Sequence, residues 1–296
     1  MSYRRRGFLR AGLVGLANFV IGEPLSRELV AETRRTIFDA HLHIPSENGQ
    51  VFQWSVITRT MPEFVAYLDR CGVRRGVRRG VISSARSNMA ETPEDYRQGN
   101  REVAKYAEQY KGRFRGSCVI TPFRIEEALR EIEDCHKQLG FKWLGEFCNY
   151  MTHYRYDTPE WAEVMKLAAK LRLVIQIHTN VKEMQHLAEN FPENTIVFPH
   201  LGGSADDIFA RIAIIARHKN TCIDISGSGQ ERVGILEKAV KEIGSDRVLY
   251  GSDFTINEPS GVIARVKNAF LTPRDRENIL YANVERLLSQ VGTAGG

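Results

Sequence analysis

Eight short apolar runs, each followed by a helical pattern, predict an α/β fold: a (β/α)8 TIM barrel forming a single domain. Three observations carry this prediction: the count of eight, the strict alternation of the two patterns, and polar residues that gather at the C-terminal ends of the runs. Such alternation builds βαβ units around a parallel sheet. Eight repeats favour a closed barrel over an open doubly wound sheet, and no G-x-G-x-x-G or P-loop follows the first run to support a dinucleotide fold.

In order, the predicted strands are 37–44 (IFDAHLHI), 80–85 (GVISSA), 114–122 (FRGSCVITP), 142–147 (KWLGEF), 173–179 (LVIQIHT), 195–200 (TIVFPH), 221–226 (TCIDIS) and 247–254 (RVLYGSDF). Helical patterns follow at 61–71, 93–111, 124–139, 159–172, 181–190, 205–219, 230–243 and 274–289. Thr92-Pro93-Glu94 and Thr158-Pro159-Glu160 place a capping hydroxyl before Pro at the first helical position. Gly72, Gly112, Gly140 and Gly244 mark helix ends. The spacing assigns 36–296 to the barrel domain.

Composition fits this size class. The chain has 296 residues, 43% hydrophobic and 26% charged, enough for a full core in one barrel domain. The net charge of +5 comes largely from Arg4, Arg5, Arg6 and Arg10, because residues 1–10 contain no acid. The body is therefore near balance, and a nucleic-acid partner is not expected. A second basic run, Arg74, Arg75, Arg78 and Arg79 in GVRRGVRRGV, falls between a helix and a strand, on the face opposite a barrel's active end. It reads as a solvated loop. Five cysteines (Cys71, Cys118, Cys135, Cys148, Cys222) with no C-x-x-C pair do not form a disulfide framework. Of these, only Cys148 falls near the predicted chemistry. No stretch approaches the roughly 20 apolar residues of a transmembrane span.

Residues 1–35 read as an N-terminal leader. Arg5-Arg6-Gly7-Phe8-Leu9-Arg10 resembles a twin-arginine signal, and the apolar stretch from Ala11 to Gly22 follows it. That resemblance implies export to the periplasm, with a cytoplasmic location as the alternative. No clear A-x-A cleavage site follows.

The polar residues that interrupt the strands carry the functional reading. Side chains two apart on a strand share a face, so His41 and His43 project together into the barrel mouth with Asp39 beneath them. Glu146 ends the fourth strand, His178 the fifth, His200 the sixth and Asp253 the eighth. All six would face one cavity at the end where barrel enzymes place catalytic groups. An H-x-H alone occurs often by chance, but its coincidence with four further ligand types on other strand ends is specific. His136, His186 and His218 fall in helices and His153 in a loop. Imidazole and carboxylate donors suit a divalent metal, one or two ions, with zinc first and manganese or iron also accommodated.

These positions resemble the amidohydrolase-related, metal-dependent TIM-barrel proteins over nearly the whole chain after Ile37. The matching motifs are Asp39-Ala40-His41-Leu42-His43, Gln176-Ile177-His178, Phe198-Pro199-His200-Leu201-Gly202-Gly203, Tyr250-Gly251-Ser252-Asp253-Phe254 and the closing segment from Asn278 to Leu288. The resemblance implies that His41, His43 and His178 are metal ligands and that Asp253 is a ligand doubling as proton acceptor. His200 would be a second-metal ligand or transition-state stabiliser. Many relatives carry a carboxylated lysine on strand four, whereas Leu144-Gly145-Glu146 is similar to the glutamate of TatD-type deoxyribonucleases. Two metals bridged by Glu146 are then one arrangement; a single metal with Glu146 outside its ligand set is the other. Lys142, deeper on that strand, reads as structural.

The function implied is hydrolysis of a carbonyl, ester, lactone or amide in a small substrate. Water on such an ion has a pKa of about 7 rather than about 15.7, so Asp253 could take its proton and the hydroxide could attack. Decarboxylation of a small unsaturated or aromatic acid is the alternative reading, and TatD-like phosphodiester cleavage another. A non-enzymatic binding barrel is disfavoured by the intact ligand set. Substrate contacts are expected from loops 44–60 and 148–158, with Trp54, Arg59, Arg86, His153, Tyr154 and Arg155 as candidates. A homo-oligomer is left open.

Overall fold

Alternating side chains and tight helix caps place every functional strand end on one side of a barrel. The computed structural model describes residues 37–71 and 77–291. The leader assigned to 1–35 lies outside the described residues, as do Gly72, Arg74 and Arg75.

The strands are β1 (Ile37–Ile44), β2 (Val77–Ser84), β3 (Phe114–Cys118), β4 (Trp143–Phe147), β5 (Val174–Ile177), β6 (Thr195–Pro199), β7 (Thr221–Asp224) and β8 (Val248–Leu249). They form one parallel sheet in sequential order. β1 is buried along its whole length, as expected of a strand covered by helices outside and filled by side chains inside.

The seam of the barrel is made mostly by the chain beyond β8. Ala40 N donates to Tyr250 O (2.9 Å), Asp253 N to His41 O (3.0 Å) and His43 N to Phe254 O (2.6 Å), and Leu42 bridges Phe254. The eighth strand therefore pairs as a strand for only two residues, although its apolar pattern runs from 247 to 254. Several other strands also stop short of their sequence pattern, at Cys118, Ile177 and Asp224. Their last residues leave the ladder and turn into the mouth.

The barrel helices are α1 (Met61–Arg70), α2 (Pro93–Gln109), α3 (Ile125–Lys137), α4 (Pro159–Lys170), α5 (Val181–Asn190), α6 (Ala205–Arg217), α7 (Ile235–Ile243) and α8 (Asn283–Gln290). Thr92 and Thr158 cap α2 and α4 by accepting from Asp95 N and Trp161 N. Thr60 and Asn180 form reciprocal capping boxes with Glu63 and Glu183, which satisfies donors the helix itself cannot. α6 buries Ile208, Ile212 and Ile215 against the sheet, the three-to-four spacing of one helical face.

Helix α7 starts at Ile235 rather than 230, because Gly234 adopts φ 78° immediately before it. The pattern at 274–289 resolves into Pro273–Glu277, a π-helical turn Asn278–Ala282, and α8. Additional helices occupy Ala85–Asn88, Asn149–Thr152 and Pro259–Lys267. Among the described residues, no helix is long and apolar enough to cross a membrane. The described residues form one compact unit.

Trp161 on α4 is fully buried. Its ring meets Phe147 edge-on at 5.0 Å, stacks on Tyr154 at 5.6 Å and lies 4.8 Å from Tyr156. Removing it would leave a large void beneath the strand end that carries Glu146. Trp161→Ala is expected to cost about 3–5 kcal/mol in urea unfolding; a loss below about 1 kcal/mol would mean this aromatic stack contributes little.

Candidate active site

The strand ends converge on one buried centre. His41 and His43 sit on the inner face of β1, 2% and 1% exposed, with their Nε2 atoms 3.0 Å apart. Each ring is held from behind through Nδ1. His41 Nδ1 meets Asp224 Oδ2 at 3.2 Å and Ser226 Oγ at 3.1 Å, while His43 Nδ1 meets Ser83 Oγ at 2.9 Å. A carboxylate at Nδ1 fixes one proton there, so that Nε2 of His41 is the nitrogen that presents a lone pair to the centre once it gives up its own proton.

Glu146 stands between two pairs of imidazoles. Its Oε2 lies 3.0 Å from His41 Nε2 and 3.4 Å from His43 Nε2. Its Oε1 lies 3.1 Å from His178 Nδ1 and 3.8 Å from His200 Nε2. Asn88 Nδ2 donates to the Glu146 carbonyl at 2.8 Å and holds this strand end in place. The Cys148 thiol shares a small group with Glu146 and His178; burial, then the Glu146 charge, pushes its pKa well up.

Asp253 completes the ring from the closure segment at φ 60°. Its Oδ2 accepts from Asn257 Nδ2 at 3.0 Å. Its Oδ1 is buried without a hydrogen bond, 3.2 Å from His43 Nε2 and 3.6 Å from His41 Nε2. His200 also has a left-handed backbone, φ 65°. Two non-glycine residues in this sparsely populated region, both at one centre, mark strain held by the surrounding structure. The His200 Nδ1 donates to the Ser226 carbonyl at 3.0 Å, so its Nε2 keeps a free lone pair. The close fit requires glycine at 227, where a Cβ would stand 2.5 Å from His200 Nδ1.

The electrostatics follow from this packing. Burial works against an imidazolium at His41, but the charges of Glu146, Asp224 and Asp253 outweigh it and raise its pKa well above 6.5. At His43 the burial penalty is likewise overcome, by Asp253 and Glu146. Burial opposes the charged form of Glu146 too, yet His41, His178 and His43 hold its pKa well below the ordinary 4.5. Burial keeps His200 below its ordinary value and therefore neutral near pH 7. A charged carboxylate among imidazoles that draw positive charge is an environment for a cation. His41, His43, Glu146 and Asp253 bring ligand atoms within 4.8 Å of one another, and Asp253 Oδ1, buried without a hydrogen bond and facing both imidazoles, fits a ligand role.

Behind the centre runs a chain of contacts that the polar strand ends alone do not reveal. Trp143 Nε1 donates to Gln176 Oε1 (3.0 Å), and Gln176 Nε2 to Asp224 Oδ2 (2.7 Å), which faces His41. Asp39, with its pKa raised to about 7 by burial, accepts from His41 N and Ser252 N at 2.9 and 3.0 Å. Asp224 and Ser226 alternate with Ile223 and Ile225, the same period-two signal that marks His41 and His43. Ser226→Ala is expected to weaken metal binding by about 10- to 100-fold, read by metal titration with intact circular dichroism. Unchanged affinity would remove Ser226 from any positioning role.

A cavity of about 440 Å3 opens beside His200 and Asp253, lined further by Gly227, Gln230, Glu231 and Asn257. None of the six substrate candidates lines it: Trp54 and Arg59 are exposed, and Arg86, His153, Tyr154 and Arg155 are placed as follows. Arg86 pairs with Asp95 at 3.3 Å and lies 3.9 Å from Glu102. Tyr154 is buried in the Trp161 stack, and Arg155 pairs with Asp157 at the surface. His153 ends the helix Asn149–Thr152 in a left-handed conformation. Loop 44–60 does reach the centre, through Phe52, whose ring lies 4.7 Å from that of His43. Tyr150 reaches it too, at 4.9 Å from the His178 ring.

A (β/α)8 barrel with this donor cluster at its C-terminal mouth defines an enzyme-like scaffold with a centre suited to a divalent ion. Residues 38–290 match the family described as Amidohydrolase, and the chain belongs to that family. No curated protein matches the chain. Among solved structures, a dihydroxybenzoic acid decarboxylase from Polaromonas, with bound manganese and 2-nitroresorcinol, is similar at TM-score 0.69 and 18% identity, covering 86% of this chain and 97% of that one. A 2,6-dihydroxybenzoate decarboxylase from Rhizobium is similar at TM-score 0.68 and 17% identity over 87% and 100%. A 5-carboxyvanillate decarboxylase from Sphingomonas paucimobilis is similar at TM-score 0.65 and 15% identity over 86% and 99%. At these identities the likeness is one of fold.

Proposed function

We propose that the chain is a divalent-metal-dependent decarboxylase of a small aromatic or unsaturated carboxylic acid. The observation that carries this reading is Asp253 Oδ1, buried without a hydrogen bond and facing the His43 and His41 nitrogens, at the edge of a cavity of about 440 Å3 that suits a single-ring acid. The names of the similarly folded decarboxylases support the substrate class.

His41, His43, Glu146 and Asp253 would hold the ion, with His178 and His200 at its second side. Bound there, the ion supplies Lewis-acid polarisation of an acid's oxygen atoms. Loss of carbon dioxide breaks a carbon–carbon bond and leaves an electron pair on the carbon, which must take up one proton. Asp253, once protonated, is placed to deliver it, with Asn257 orienting the carboxyl through Oδ2. His200 Nε2, whose lone pair is free, would take that proton from solvent and pass it to the Asp253 carboxylate before each turnover. Phe52, 8% exposed, limits water on the His43 side.

Hydrolysis of a small ester, lactone or amide is the second reading, favoured by the family match and by a neutral His200 able to accept a proton from water. Zinc, manganese and iron all suit imidazole and carboxylate donors, and the manganese of the Polaromonas structure places that ion in the test. The experiment is a screen of hydroxybenzoic acids and simple esters against protein loaded with manganese or zinc. Release of carbon dioxide with formation of the decarboxylated ring is the expected result. Ester cleavage without carbon dioxide release would replace the decarboxylase reading with the hydrolytic one.

A further inference from the structure

At the opposite end of the barrel, the starts of β3 and β4 border a second cavity of about 310 Å3. Arg79 from β2, Arg115 from β3 and Lys142 just ahead of β4 line it, together with a single acid, Glu285 of α8. Glu285 is already taken: it pairs with Arg79, whose guanidinium also lies 4.6 Å over the Phe38 ring. Among the described residues, the hydrogen bonds of the other two cations go to carbonyl oxygens. Arg115 Nη1 donates to Phe114 O and Lys142 Nζ to Leu288 O, each at 3.1 Å.

Among the described residues, the cavity thus sets three positive charges against one negative. Burial, and next the Arg79 charge, hold the Arg115 pKa below its ordinary value. Arg79 Nε is buried with no hydrogen-bond partner. Phe141 and Leu288 add apolar wall, and low-dielectric walls around like charges concentrate their field on whatever enters. Arg79 is the last arginine of the run GVRRGVRRGV, so one member of that run lines a concave site rather than standing wholly in solvent.

We propose that this cavity is a binding site for a small oxyanion, a phosphate or carboxylate group, held by Arg115 and Lys142 with Arg79 at its edge. A guanidinium fork takes two oxygens of such a group, and an ammonium adds a point charge. Occupation would tie β3 and β4 to α8 at the face that sets stability rather than chemistry.

Thermal unfolding of the metal-loaded full chain tests this, with inorganic phosphate, with acetate, and with sodium chloride at matched ionic strength. At ten times its dissociation constant, the bound anion is expected to raise Tm by about 2–4 °C, while chloride does not. The acetate and phosphate arms separate the two sources of the oxyanion. Phosphate could also reach the metal centre, so the decisive comparison is the variant Arg115→Met and the charge-keeping Arg115→Lys. Loss of the shift in the first and its retention in the second support the site. An undiminished shift in Arg115→Met, an equal shift with chloride, or no shift with either anion would overturn it. If Arg115→Met does not fold, Lys142→Met is read by calorimetric phosphate titration, and undiminished binding there has the same meaning.

Discussion

Asp253→Asn is expected to leave the barrel folded and to lower turnover of the acid substrate by about 10^2- to 10^4-fold. The carboxamide has nearly the same shape and can keep an oxygen toward Asn257, whose Nδ2 donates to Asp253 Oδ2. It cannot hold and release a proton, and it removes a negative charge from beside His41 and His43. Circular dichroism and thermal unfolding would show the fold retained, and carbon dioxide release would report the rate. A variant working within about tenfold of the parent would take Asp253 out of the proton-transfer role and, with it, the proposed chemistry.

Stripping the metal is the second large effect. Dialysis against a chelator is expected to lower turnover by about 10^3-fold or more, since such an ion supplies several kcal/mol of charge stabilisation. Added manganese or zinc should restore it. The same experiment has a dependence on pH. In the metal-free chain His41 and His43 have pKa values raised above 6.5, so their stabilising contribution is complete below that pH and is lost as pH rises through the raised values. Glu146, held well below 4.5, contributes above 4.5 and ceases to do so only as pH falls through its depressed value. The metal-free protein should therefore lose stability on the alkaline side, where the bound ion takes over from the protons. The gap in Tm between metal-loaded and metal-free protein should widen from pH 6 to pH 9. A gap that narrows over that range would contradict the charge pattern described at the centre.

Much of this centre is legible in the sequence because the period-two rule turns a linear spacing into a shared direction. His41 and His43 are separated by one residue and do point inward together. Glu146, His178, His200 and Asp253 are found because each is a polar residue ending an apolar run. Asp224 and Ser226 obey the same rule, but their role appears only when the end of β7 brings them to Nδ1 of His41 on β1. The loop candidates Arg86, His153, Tyr154 and Arg155 are placed by other means. A loop residue has no period to fix its direction, so neighbours such as Asp95, Trp161 and Asp157 decide where it goes. The helices Ala85–Asn88 and Asn149–Thr152 are too short to show a periodic face. Beyond β8 the apolar pattern continues, yet backbone pairing to β1 replaces a regular strand.

That closure places structure and chemistry on the same few peptide units. The amide of Asp253 fastens the last strand's extension to the first through the His41 carbonyl, while the side chain of Asp253 faces the reacting space. Variation in this segment cannot be selected for altered reactivity without also being selected for a shut cylinder. Diversification of substrate range should accordingly avoid 250–254 and fall on the walls around it, at 45–60 and 230–233, where the backbone carries no share of holding the ring together.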